Sequence, residues 1–303
     1  MPPGDIPLAG APAHRAPSAG ELDVRVLGPL SVHHGGAEVT PTAQKPCTVL
    51  ALLLLNHTRV VPVPALIDEL WQDVPPKSAR AALQIYVSHL RKALTTTTGL
   101  SLAEVSADVL QTVHNGYRLV VAPGRFDLET YHRLHRRGHT AMTTGDHRAA
   151  AQHFRAALDL WRGPAVADVR PGTRIRAEVA ALEQSRLTTR DYRVELDLRL
   201  GAHRELLSEL AVLTLRDRLH ENLHAQYVIA LYRSGHRIRA LEAFHRLRHN
   251  MLAEFGLEPS PRLKELHQAV LTLDPVLDRV EVVPLPRLPV VDLPEFPALA
   301  GSF

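Results

Sequence analysis

Three segments in the second half of the chain share one frame, and that frame constrains the fold more than any other feature. GDHRAAAQHFRAAL (145–158), GAHRELLSELAVLT (201–214) and GHRIRALEAFHRLR (235–248) each open on glycine. Five residues on comes Ala150, Leu206 or Ala240, and nine on comes Phe154, Leu210 or Phe244. Each pair is one helical turn apart, so both members lie on one face that must be buried against a neighbour. Gly201 and Gly235 stand 34 residues apart, the tetratricopeptide period. Gly145 and Gly201 stand 56 apart, which leaves room for an extra helix around Ile175–Leu200. Residues 125–273 are therefore expected to form an all-helical, tetratricopeptide-like solenoid.

The chain before this region follows a different pattern. LDVRVLGPLSVHHGGAEV (22–39) alternates apolar and polar residues around Gly-Pro and Gly-Gly breaks, the signal of short antiparallel strands. Three helical stretches follow, Pro46–Asn56, Pro64–Trp71 and Ser78–Leu94. LQTVHNGYRLVV (110–121) then places two β-rich runs around Asn115-Gly116, a strong hairpin signal. Strands, three helices and a closing hairpin give a winged helix-turn-helix over residues 21–124. The expected fold class is mostly α with a small β component. Residues 1–20, rich in Pro, Ala and Gly, and residues 274–303, with prolines at 275, 284, 286, 289, 294 and 297, are expected to be disordered tails.

Composition narrows the function classes. Cys47 is the only cysteine, which excludes an internal disulfide and a thiolate zinc cluster and suits a reducing compartment. The longest apolar run, Val49–Leu55, is far shorter than the roughly 20 residues of a membrane span, and the N-terminus lacks a basic-then-apolar signal. A cytoplasmic, nucleoid-associated protein with no membrane contact is expected. Net charge is only +3, although all but four of the 35 basic residues are Arg. The position of the charge therefore matters more than its sum.

The stretch ARAALQIYVSHLRKAL (79–94) segregates that charge. At 100° per residue, Leu83, Val87, Leu90 and Leu94 fall in one narrow stripe suited to packing. Opposite lie Arg80, Gln84, Ile85, Ser88, Arg91 and Lys92, with His89 at the margin. An ordinary solvated face mixes Glu with its Lys and Arg. From Val74 to Ala103 there is no acid, while Lys77, Arg80, Arg91 and Lys92 supply positive charge. Acid-free basic surface is what phosphate contact requires. Gln84 and Arg91 suit paired hydrogen bonds to adenine and guanine edges, and an exposed Ile85 suits a thymine methyl.

Other motifs point elsewhere. His220-Glu221-Asn222-Leu223-His224 spells the H-E-x-x-H zinc-protease pattern, but a chain with 18 histidines produces such matches by chance. His132, His135 and His139 have helical metal-ligand spacing, yet Arg133, Arg136 and Arg137 interleave them, so a solvated surface is expected. Trp71, Trp161 and Tyr232 fall on apolar phases and read as core. No Gly-Lys dipeptide exists, hence no phosphate-binding loop. No enzyme and no cofactor are expected. The competing readings are a helical-repeat adaptor without DNA recognition and a zinc peptidase.

In this order, LDVRVLGPLSV, LALLLLNHTRVV, LIDELW, PPKSARAALQIYVSHLRKAL and NGYRL resemble the Streptomyces antibiotic regulatory proteins. GDHRAAAQHFRAALDLWRGPAVAD and the stretch from ALYRSGHRIRALEAFHRLR to LTLDP resemble that family's bacterial transcriptional activation domain. The resemblance covers about residues 21–275. It implies an OmpR-type winged helix joined to a tetratricopeptide-like domain, which binds direct repeats in promoter DNA as a homodimer and recruits RNA polymerase to biosynthetic gene clusters, typically for antibiotics. It further implies that Ser78–Leu94 is the recognition helix, with Gln84, Ile85, Ser88, His89 and Arg91 facing bases or phosphates. His114, Asn115 and Arg118 would belong to the wing. The loop from Gln72 through Asp73 and Val74 to Lys77 would meet the polymerase sigma subunit. His89 stands where the family commonly has Arg.

Overall fold

The computed structural model describes residues 22–278, so the expected tail at 1–20 and the segment 279–303 lie outside the described residues. The described chain divides into two compact units, residues 22–130 with 162–180, and residues 131–161 with 181–278. It is mostly helical with two small sheets.

In the first unit β1 (Leu22–Arg25), β2 (Ser31–His34) and β3 (Ala37–Glu38) form an antiparallel sheet with Val24 opposite Val32. Alternation explains it, since Leu22, Val24 and Val32 are buried while Asp23 and Arg25 are not. α1 (Gln44–Leu55) is buried at every position from Pro46 to Leu55, which makes it the central helix. β4 (Val61–Pro62) and α2 (Val63–Trp71) follow, with Pro64 in the first turn of α2, where its missing N–H costs nothing. α3 (Ala79–Thr98) buries Ala79, Leu83, Val87, Leu90 and Leu94, the stripe the sequence periodicity predicts. It runs past Leu94 because the hydroxyls of Thr95 to Thr98 each donate to the carbonyl four residues back, and Gly99 closes it in the left-handed region. A short helix, α4 (Leu102–Glu104), is held by a Ser101–Glu104 capping box. A π-helical turn (Val105–Val109) then leads to β5 (Leu110–Val113) and β6 (Gly116–Leu119), and the second sheet has the order β4-β6-β5.

Residues 162–180, which the sequence pattern assigns to the helical region, count with this first unit. The carboxylate of Glu69, only 4% exposed, accepts from the backbone N–H groups of Gly172, Arg174 and Ile175, at the start of α7 (Thr173–Arg199). A helix N-terminus offers these donors unpaired, and a carboxylate satisfies them. Gly172 is required there, since a Cβ would lie 2.5 Å from the Glu69 carbonyl oxygen. Asp168 accepts from Leu30 N at 2.7 Å, and the Thr48 hydroxyl donates to the Arg170 carbonyl at 3.2 Å. Asp127 accepts from the N–H groups of Val26 and Leu27, and burial pushes its carboxyl above the usual range against these bonds.

The second unit is helical throughout. It comprises most of α5 (Asp127–Thr143), α6 (His147–Leu158), the rest of α7, α8 (Leu207–Arg216), α9 (Glu221–Arg233), α10 (Arg237–Phe255) and α11 (Pro261–Thr272). Gly145, Gly201 and Gly235 adopt φ of 80°, 85° and 83°, turns that only glycine makes without strain. Ala150, Leu206 and Ala240, with Phe154, Leu210 and Phe244, are all buried, so the repeat frame is a packing frame. α7 fills the long interval as the extra helix. Its main core gathers Leu210, Leu223, Val228, Leu231, Phe244 and Val270. Ordered packing continues past residue 273, since Pro275–Asp278 form a 3-10 turn that buries Leu277 and whose Leu277 carbonyl accepts from Arg233.

The histidine stretch on α5 is not a solvated surface. His135 is 4% exposed, with Nδ1 2.8 Å from Thr189 Oγ1 and Nε2 3.1 Å from His139 Nε2. Thr189 donates its hydroxyl to the Ser185 carbonyl, so it must accept from His135 Nδ1–H and from Tyr131. That places a proton on Nδ1 of His135, and burial, which pushes the pKa down to about 3, keeps the ring neutral. The pentapeptide 220–224 likewise serves structure. His220 accepts from Leu223 N to cap α9, the Glu221 carboxylate accepts from Ser260 N, and His224 is buried with its pKa pushed down to about 4. Among the described residues no group of three or more His, Cys, Asp or Glu side chains is placed to hold a metal, and no helix is long and apolar enough to cross a membrane.

Candidate nucleic-acid interface

α3 owes its presentation to the burial of its apolar stripe, which turns the opposite face to solvent. Arg80, Gln84, Ile85, Ser88, His89 and Lys92 are exposed, while Arg91 is half-buried. Ile85 is 53% exposed, which leaves its apolar surface on this face open to a partner. The side chains of Lys77, Gln84, Ser88, His89, Lys92 and His114 are engaged in no hydrogen bond or ion pair within the described residues. A helix face carrying uncommitted donors and no acid fits a groove lined by base edges and phosphates.

Four of the expected site residues, Arg80, Arg91, Asn115 and Arg118, are instead tied into the frame. Arg91 donates from Nε and Nη2 to the Leu110 carbonyl at 3.1 and 2.7 Å, and from Nη2 to Thr112 Oγ1 at 2.8 Å. Burial lowers its pKa from the usual guanidinium range. Arg80 donates to Asn115 Oδ1 at 2.8 Å, which joins the start of α3 to the tip of the hairpin. Arg118 donates to Gln111 Oε1 at 3.0 and 2.7 Å across the β5–β6 ladder, where the two residues are direct partners. Together Arg80 and Arg91 brace the hairpin against α3 at two points. Between them lies a polar cleft lined by Arg80, Gln84, Thr112, His114 and Asn115.

The hairpin turn sits one residue earlier than the Asn115-Gly116 signal suggests. Val113 pairs with Gly116, so His114 and Asn115 make the turn, and His114 takes the positive φ of 51°. Gly116 is needed for close approach instead, because a Cβ there would lie 2.6 Å from the Val61 carbonyl and from Val60 Cγ1. The exposed loop Gln72–Lys77, with Asp73 and Val74, begins at Gln72, whose φ is 52°. Its base is anchored by Trp71, which stacks on Tyr86 at 6.3 Å and receives Lys45 Nζ 4.5 Å over its ring. Sequence reasoning missed this anchor and the Glu69 cap.

Comparison with known proteins agrees with this architecture. Residues 37–119 match the family model described as transcriptional regulatory protein, C terminal, and residues 126–271 match bacterial transcriptional activator domain. The chain is 49% identical to regulatory protein DnrI of Streptomyces peucetius over 258 residues, 85% of this chain and 95% of that protein. It is 32% identical to regulatory protein AfsR of Streptomyces griseus over 98% of this chain, yet spans only 30% of that relative's length. The solved structure of Mycobacterium tuberculosis EmbR in complex with a low-affinity phosphopeptide superposes with a TM-score of 0.76 at 32% identity, covering 84% of this chain and 65% of that one. Both matched domains in this order, with near-half identity along almost the whole of DnrI, place the chain in the Streptomyces antibiotic regulatory protein family of transcriptional regulators.

Proposed function

We propose that this regulator is a sequence-specific activator that binds direct repeats in promoter DNA and recruits RNA polymerase to a biosynthetic gene cluster. The observation that carries the reading is the acid-free outer face of α3, whose uncommitted side chains stand beside a hairpin braced against the same helix. Gln84, Ile85, Ser88 and His89 face base edges, Lys77 and Lys92 face phosphates, and His114 at the hairpin tip enters the neighbouring minor groove. Arg80, Arg91, Asn115 and Arg118 hold the wing at its working angle. Two copies bind head to tail on repeated sites, and the anchored loop Gln72–Lys77 meets the polymerase sigma subunit. Such a protein works in the cytoplasm, on the nucleoid.

Footprinting of the purified chain on promoters neighbouring its gene tests this. Protection of spaced direct repeats is expected, lost in a Gln84→Ala, Lys92→Ala double variant that keeps its fold. Protection by the variant equal to that of the wild type would remove α3 from the interface. Salt-insensitive protein binding without DNA affinity would favour an adaptor instead.

A further inference from the structure

We propose that the second unit carries a second DNA contact, a stripe of Arg133, Arg136 and Arg137 on α5 that binds the phosphate backbone without reading sequence. The inference rests on the promoter-binding function above and extends it beyond the winged helix. The three arginines are exposed and stand at i, i+3 and i+4, so they project from one face of the helix. Thr140 continues that face one turn on and is exposed as well.

No acid neutralises the stripe. From Tyr131 to Leu158 the chain has five Arg and one acid, Asp146, and that carboxylate is occupied in capping α6 through Ala149 N at 2.9 Å. Glu129, one turn before Arg133, is engaged by His57 Nε2 at 3.0 Å. Elsewhere in the unit many arginines are paired, as Arg155 is with Asp197, Arg190 with Asp217, Arg218 with Glu254 and Arg248 with Glu258. The exposed Arg148, Arg204 and Arg216, which are not, lie apart in the chain. The exposed Arg239 and Arg246 of α10 have Glu242 between them on the same helix. The guanidinium groups of Arg133, Arg136 and Arg137 make no hydrogen bond or ion pair within the described residues. Three guanidinium groups held this close without counter-charge repel one another, a cost that an anionic partner relieves.

The surroundings favour DNA over an acidic protein. Protein interfaces need large apolar anchors at their centre. None of the large exposed apolar residues lies between Leu102 and Leu200, so the stripe has none beside it in the chain. A surface that is polar, basic and free of apolar anchors matches the wet, positively charged interfaces formed on DNA.

The test compares the full chain with an Arg133→Ala, Arg136→Ala, Arg137→Ala variant. Each is titrated at several salt concentrations on a footprinted promoter duplex and on a shuffled duplex of the same length. Three lost phosphate contacts make the plot of log affinity against log salt shallower by about 2.7. The loss is expected to be equal on both duplexes, leaving the specificity ratio unchanged, because phosphate contacts carry no sequence information. The corresponding triple Lys variant is expected to restore the slope. An unchanged slope in the Ala variant overturns the proposal, as does failure of the Lys variant to rescue. Unchanged DNA binding with lost transcription in vitro would assign the stripe to an acidic protein and also overturn it. Failure of the promoter-binding reading looks different, since the wild type itself would then show no preference for the promoter duplex.

Discussion

Arg91→Ala separates a brace from a base reader. The side chain makes three hydrogen bonds to two acceptors, the Leu110 carbonyl and Thr112 Oγ1. Leu110 is buried, so its carbonyl loses a charged donor that little water can replace. Charge-assisted acceptors contribute roughly 1.5–3 kcal/mol net each, so two give about 3–6 kcal/mol, and solvent screening of the partly exposed guanidinium discounts this to about 2–4 kcal/mol. If the hairpin must be re-formed on binding, that energy sets the ceiling for lost affinity, roughly 30- to 700-fold. The assay combines amide hydrogen exchange over β5 and β6 with affinity for a promoter duplex and its single-base variants. Faster exchange in the hairpin is expected, with weaker binding to every duplex in equal proportion. A guanidinium bonded to guanine would behave otherwise, losing about 1–3 kcal/mol of discrimination at one base pair. Unchanged hairpin exchange with relaxed preference at one position would refute the bracing argument.

Two further predictions concern what holds each unit together. Glu69→Ala leaves three N–H groups at the start of α7, two of them buried, without their acceptor and is expected to cost about 3–5 kcal/mol. Urea unfolding followed by Trp71 fluorescence in a Trp161→Phe background measures it, since each unit holds one tryptophan, and a loss under about 1 kcal/mol would sink the capping account. His135 has a folded-state pKa of about 3, below the ordinary 6.5, so the unfolded chain binds its proton first as pH falls. Its contribution is intact above about pH 6.5 and is lost toward pH 3, by about 1.4 kcal/mol per unit within that window. His135→Gln is expected to flatten the acid limb of the stability profile read from Trp161, and an unchanged limb would contradict the buried neutral imidazole.

Features governed by local periodicity were legible in the sequence. The stripe from Leu83 to Leu94 and the glycine frames at 145, 201 and 235 appear in the structure as buried lines and left-handed turns, because helix packing repeats with the helix. Partnerships across long separations were not legible. Glu69 reads as one more acid in LIDELW, and nothing nearby in the chain announces Gly172, 103 residues on, as its partner. The histidines of α5 show the reverse case. Their interleaved arginines suggested a wet surface, yet a helix can bury one polar line when another helix supplies hydroxyls, as Ser185 and Thr189 do through Tyr131 and His135. In the candidate site, the residue types on α3 were readable from pattern. Which of them are free and which are committed to the wing depended on the hairpin's placement. Gly116 reads as a turn residue in the sequence, but the approach of β4 gives it its role.

The most direct measurement of the central claim is selection of bound duplexes from a random-sequence pool by the wild type and by Gln84→Ala. Wild-type protein is expected to enrich two copies of one short motif in direct repeat. The variant is expected to enrich the same motif with preference relaxed by about 1–3 kcal/mol at a single position in each copy. A wild-type pool without a repeated motif, or identical preferences from both proteins, would contradict reading of DNA by the exposed face of α3.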